Sequence, residues 1–165
     1  MKVLTAIDEL DNETIYHLDR EYHTVFLAGG ISNCSDWQSE AIEYLNNSKY
    51  TNNVILFNPR RKSFDINNTK DSIIQIAWEH KYLQLAKHII FWFAKETLCP
   101  ITLFEYGKAL VASKYCKKYI YVGTHQEYQR RLDLVEQTFH ENERLIVRNN
   151  LIRTIQDFEV GLMHE

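Results

Sequence analysis

Glu105 and Glu79, the pair Gly29-Gly30 and the pair Arg60-Arg61 are the residues of this chain best placed to do chemistry together. Glu105 follows the apolar run 88–93 through a short loop, and Glu79 precedes that run on an amphipathic stretch of its own. Gly29, Gly30, Ile31 and Asn33 follow a second apolar run, and Asn58, Arg60, Arg61 and Asp65 follow a third. A carboxylate held among hydrogen-bond donors can attack carbon as a nucleophile, while an acidic neighbour protonates the group that leaves. The chain lacks the GxGxxG fingerprint, the phosphate-loop lysine and the HExxH metal spacing, which argues against hydride transfer, nucleotide hydrolysis and metal-assisted cleavage. What fits is glycosyl transfer with retention, in which a carboxylate attacks an anomeric carbon and forms a covalent intermediate without metal or cofactor.

These residues need a scaffold that brings loop ends together. Five runs rich in β-branched and aromatic residues, 24–28, 53–57, 88–93, 118–123 and 144–147, alternate with amphipathic stretches at 35–47, 69–86, 101–114, 126–140 and 150–158. Near-continuous apolar strands between helices predict an α/β fold: a flavodoxin-like, doubly wound sandwich around a five-stranded parallel sheet. Residues 1–165 are expected to form one domain, with 1–23 an N-terminal extension or extra strand and 2–7 its strand-like part. Ligands in such sheets bind outside the carboxyl ends of the strands, so the three loops should converge on one crevice. Ser35, with Gln38 three residues on, is the expected cap of the helix after the glycines, and Pro100 the start of the helix bearing Glu105. Glu105 in a first turn would be ionised at neutral pH, and Gly107 would admit a close neighbour.

The 165 residues suffice for a core, and a net charge of -3 argues against duplex nucleic acid as a partner. Three widely spaced cysteines, Cys34, Cys99 and Cys116, match neither a zinc site nor a disulfide framework and point to a reducing compartment. There is no leader-like apolar segment and no membrane-length run, so a cytoplasmic location is expected. Trp37 and Trp78 are the tryptophans expected to flank the crevice, where an aromatic face could stack on a flat base. Plain structural roles remain open for the same residues. Gly29-Gly30 could be only a tight turn, the arginines surface ion pairs, Glu105 a helix-capping acid, the tryptophans core, and His80, His88, His125 and His140 structural or solvated.

The motifs Val25-Phe26-Leu27-Ala28-Gly29-Gly30-Ile31, Asp36-Trp37, Asn58-Pro59-Arg60-Arg61, Trp78-Glu79, Phe91-Trp92-Phe93, Cys99-Pro100-Ile101 and Leu103-Phe104-Glu105-Tyr106-Gly107 occur in this order. Tyr128, Arg130, Arg131 and Asp133 follow the fourth strand. In this combination, over about 25–158, the chain resembles the nucleoside 2-deoxyribosyltransferase-like family. The resemblance implies the flavodoxin-like sandwich, with Glu105 as the nucleophile on C1′ of a 2′-deoxynucleoside, Glu79 as the acid that holds and protonates the base, and the Gly29-Gly30 turn beside the sugar. It implies a small-molecule nucleoside or nucleotide and a free nucleobase as partners, no membrane, and a homo-oligomer. Some branches of the family cleave nucleoside monophosphates, in which case Arg60 and Arg61 would hold a 5′-phosphate; a base edge is the other ligand open to them. The chain differs from well-studied transferases at Cys99, six residues before the nucleophile, and at Lys87, where relatives carry aspartate. The alternative is a non-catalytic module that binds a nucleotide or an ADP-ribose-like ligand in the same crevice. A thiolate role for Cys99 is a further, minor option.

Overall fold

The computed structural model describes residues 1–63, 65 and 67–164. Six parallel strands form one sheet: β1 (Lys2–Thr5), β2 (His23–Gly29), β3 (Val54–Asn58), β4 (His88–Phe93), β5 (Tyr119–Thr124) and β6 (Val147–Arg148), in the order β1-β3-β2-β4-β5-β6. The helices between them are α1 (Asn12–Glu21), α2 (Trp37–Asn46), α3 (Thr69–Leu85), α4 (Pro100–Ser113) and α5 (Arg131–Glu141), and α6 (Leu151–Leu162) ends the described fold. The flavodoxin-like expectation is met with one correction: the sheet has six strands, not five. The sixth is β1, which pairs with β3 from Lys2 opposite Ile55 to Thr5 opposite Asn58. Its four residues expose Lys2 and Val3 and bury Leu4, and they lie within the stretch 2–7 expected to be strand-like.

Every residue of β3 and β4 is buried, as parallel strands covered on both faces must be. One face carries α2 and α6 over Val25, Leu27, Leu56 and Ile90, with Trp37, Leu45, Ile155 and Phe158 as the helical contribution. The other carries α1, α3, α4 and α5 over Phe26, Phe57, Ile89 and Phe91, with Leu18, Trp78, Tyr82, Tyr106 and Leu134. From β2 the chain crosses to β3 on the α2 side, then returns past β2 to β4 on the α3 side. Right-handed crossovers in opposite directions require helices on opposite faces. The two connections therefore part company between β2 and β4 and leave a crevice at their carboxyl ends, where Gly29 pairs with Trp92. No helix among the described residues is long and apolar enough to cross a membrane.

Candidate active site

The Gly29-Gly30 turn forms one wall of the crevice. A Cβ on Gly29 would lie 2.5 Å from both the Trp37 ring and the Trp92 carbonyl, so no larger residue fits. The Gly30 carbonyl accepts three hydrogen bonds, from Trp37 Nε1 at 3.1 Å, Gln38 Nε2 at 3.0 Å and Arg60 Nη2 at 3.2 Å. Because the Gly30-Ile31 peptide is planar and trans, the Ile31 N–H points away from these three donors. Arg60 also bonds Gln38 Oε1 at 2.8 Å and the Ser35 carbonyl at 2.9 Å, and pairs with Asp36 at 3.2 Å. Its guanidinium is thus engaged with the protein and ties β3 to the start of α2. The cap of α2 is Asp36, which accepts from Ser39 N at 3.1 Å, and not Ser35.

The carboxylates lie on the α3/α4 side. Glu79, half-buried on α3, accepts a 2.7 Å bond from Gln75 one turn earlier, and the Arg61 guanidinium lies near enough to act on its charge. Burial nevertheless pushes the Glu79 carboxyl above its usual range, with Gln75 and Arg61 offsetting part of the rise. Glu105 is the sixth residue of α4, past the first turn where a helix dipole acts. Burial first, and then the charge of Glu79, raise its carboxyl from 4.5 to about 7, while Lys108 pulls it back. The expected full ionisation at neutral pH is therefore corrected: near pH 7 Glu105 is about half protonated, and the two acids titrate as a pair.

This arrangement costs stability in a defined pH window. Because Glu105 binds its proton more tightly folded than unfolded, its contribution is fully present below about pH 4.5, is lost as pH rises to about 7 and stays lost above. Glu105→Gln is accordingly expected to stabilise the fold at pH 8 by about 2–3 kcal/mol, and to change it little at pH 4. Urea unfolding of both proteins at the two pH values measures this; equal differences at both would contradict it.

The loop into α4 packs against the Gly29-Gly30 turn. Cys99, buried before Pro100, takes the left-handed backbone region at φ 48, and Asn33 does so at φ 55. That geometry costs about 1 kcal/mol or more for a residue other than glycine and is most easily borne by asparagine. The sulfurs of Cys34 and Cys99 both crowd the place a Cβ would take on Gly30, at 2.9 and 3.3 Å. Burial raises the Cys99 thiol, so it is not poised as a thiolate. Tyr128 braces the same loop by donating its hydroxyl to the Leu98 carbonyl at 2.9 Å.

A family model described as "Nucleoside 2-deoxyribosyltransferase like" matches residues 22–128. The chain belongs to that family. Membership ties it to a function related to nucleoside 2-deoxyribosyl transfer, and the matched span holds both glutamates, the glycine turn and the arginines. No curated protein matches the chain.

Of the other residues picked out in the sequence of this family member, Asn58 is buried and accepts the Arg60 N–H at 3.0 Å. Arg61 lies 3.6 Å from Asp71 and beside Glu79. Asp65 is exposed and accepts the Asn67 N–H in a local turn. Trp37 and Trp78 are 2% and 3% exposed, one in each core; Trp78 donates to the Asp8 carbonyl at 2.6 Å and packs on Tyr82. Gly107 is exposed, and a Cβ there would meet nothing within 4 Å. A cleft of about 700 Å³ opens on the α2/α6 side among Trp37, Trp92, Lys95, His125 and Asn150, and neither carboxylate lines it. Sequence reasoning missed Gln75, Lys108 and the clamp role of Gln38. The four-residue spacing from Gln75 to Glu79 was the available signal, since it puts both on one helix face.

Proposed function

We propose that the protein transfers or cleaves the N-glycosidic bond of a 2′-deoxynucleoside or its 5′-monophosphate through a covalent deoxyribosyl-Glu105 intermediate. The observation that carries this reading is the pair Glu105 and Glu79. They are close enough for one charge to raise the other, and they sit on the helices that precede and follow β4 in the chain. Family membership supports a nucleoside or nucleotide as the substrate class. In the first step a Glu105 oxygen bonds to C1′ as the C1′–N bond breaks; the electron pair leaves with the base, which takes the proton of Glu79. In the second, an incoming base or water bonds to C1′, gives its proton to Glu79, and Glu105 departs as carboxylate. Paired acids of raised pKa suit this alternation, because one proton must sit on the acid while the nucleophile is bare.

The reading is tested by incubating the protein with each deoxynucleoside and each deoxynucleoside monophosphate, with and without free adenine, and separating the products by chromatography. Released or exchanged base supports it, and the adenine lanes separate transfer from hydrolysis. Binding without turnover on every substrate would favour the non-catalytic nucleotide or ADP-ribose-like module. That module is favoured by one feature, the burial that disfavours the charged form of Glu105.

We also propose a homo-oligomer. The helices that carry the two acids expose Ile73 (61%), Ile76 (63%), Ile101 (65%) and Phe104 (65%), an apolar set that a second copy would cover. Sedimentation should show a dimer or larger species that Ile76→Glu with Phe104→Glu converts to monomer; a monomeric wild-type protein at micromolar concentration would contradict it.

A further inference from the structure

We propose that Gln75 is the positioning residue that decides which oxygen of Glu79 carries the acidic proton; the proposal rests on the N-glycosidic reading above. Gln75 is 2% exposed on α3. Its side-chain Nε2 donates to the Pro59 carbonyl and to Glu79 Oε1, both at 2.7 Å. The orientation of this amide is fixed by its surroundings. Turning it over would set Oε1 against two acceptors, a carbonyl and a carboxylate.

With the amide so fixed, both N–H groups are used and Glu79 Oε1 is committed as an acceptor. Among the described residues Glu79 Oε2 takes no hydrogen bond, so the proton of the acid form goes there. Only that oxygen can deliver a proton to a departing base nitrogen. Pro59, in the loop after β3, anchors the amide from outside the helix, so the acid is held by a link between two elements and not only by its own rotamer.

The other end of the amide supports a positioning role. Gln75 Oε1 is buried and has no hydrogen-bond partner among the described residues. The side chain is placed for what its nitrogen does.

The charged and titratable groups facing Glu79 are Arg61 from the loop before α3 and Glu105 from α4, and Gln75 is the neutral donor between them. Removing that donor is expected to raise the Glu79 carboxyl further. The test uses Gln75→Met, which keeps length and apolar volume without the donor, and Gln75→Glu as a second variant should the first fail to fold. Two readouts are taken. Carbon NMR of labelled glutamate follows the Glu79 titration, and turnover compares deoxynucleosides carrying ordinary bases with analogues carrying good leaving groups.

The expected result is an upward shift of the Glu79 titration, with loss on ordinary bases at least about tenfold greater than on good leaving groups. An unmoved titration overturns the contact, and equal losses on both substrate classes overturn the positioning role. If the wild-type protein cleaves neither class although the titration shifts, the N-glycosidic reading has failed and the positioning role falls with it, the contact itself standing.

Discussion

Replacing Glu105 by alanine is expected to lower base release by about 10⁴-fold or more, while the variant stays folded and still binds nucleoside. The magnitude follows from the role. In the proposed reaction no covalent intermediate forms without a carboxylate on this turn of α4, and the remaining groups only hold the substrate. The packing cost should be small, because Glu105 is half-buried and its charge is disfavoured where it stands. Turnover of the substrate that the wild-type protein cleaves fastest, together with ligand binding by calorimetry, measures both halves. A variant that keeps more than about a tenth of the wild-type rate would remove Glu105 from the reaction.

The second large effect belongs to Glu79. Glu79→Gln is expected to slow release of ordinary bases by about 10²-fold or more and to spare substrates whose leaving group needs no proton. Its pH dependence carries the sharper information. In the wild-type pair burial raises both carboxyls, and the charge of Glu79 adds to the rise of Glu105, to about 7. In the proposed reaction the productive arrangement has Glu105 bare and Glu79 protonated, and the rate on ordinary bases should fall above about pH 7 as the proton of the pair is lost. With glutamine at 79 the neighbouring charge is gone and the Glu105 carboxyl falls. The rate on good leaving groups, which needs only the bare nucleophile, should therefore reach its plateau at lower pH than in the wild type. Rate profiles for both proteins on both substrate types check this. Equal losses on the two, or an unmoved profile, would count against Glu79 as the acid.

How much of this was legible in the sequence depends on how local each cause is. The strand at 88–93 matches β4 residue for residue, because an unbroken apolar run between helices has one physical reading. The crevice followed from topology, and topology from the β/α alternation. β1 and α1 were not resolved from one another: four residues of weak alternation carry little signal, although Asp11, which caps α1 by accepting the Thr14 N–H at 2.7 Å, was visible. The final strand was placed at 144–147, whereas pairing with β5 selects Val147–Arg148. Pairing is a long-range fact.

The same division runs through the site. Glu105 could be singled out by its place after β4, but its protonation could not be read. Counting from the helix start put it near the dipole, while burial and Glu79, a neighbour twenty-six positions away in the chain, set its pKa. Arg60 looked like an anion fork because paired arginines after a strand are compatible with one. Its contacts with Gly30, Gln38, Ser35 and Asp36 come from three-dimensional neighbours that spacing does not reveal. Trp37 and Trp78 could be assigned to a crevice or to a core from sequence, and both are now seen in a core with the N–H on a carbonyl.

The most direct test of the central claim is the mass of the protein caught during turnover. The protein is mixed with a deoxynucleoside it cleaves, quenched in acid, digested and measured by mass spectrometry. A deoxyribosyl increment on the peptide containing Glu105, absent from Glu105→Ala, is the predicted result. Turnover with no increment under conditions that trap such esters, or an increment on another residue, would contradict the assignment of Glu105 as nucleophile.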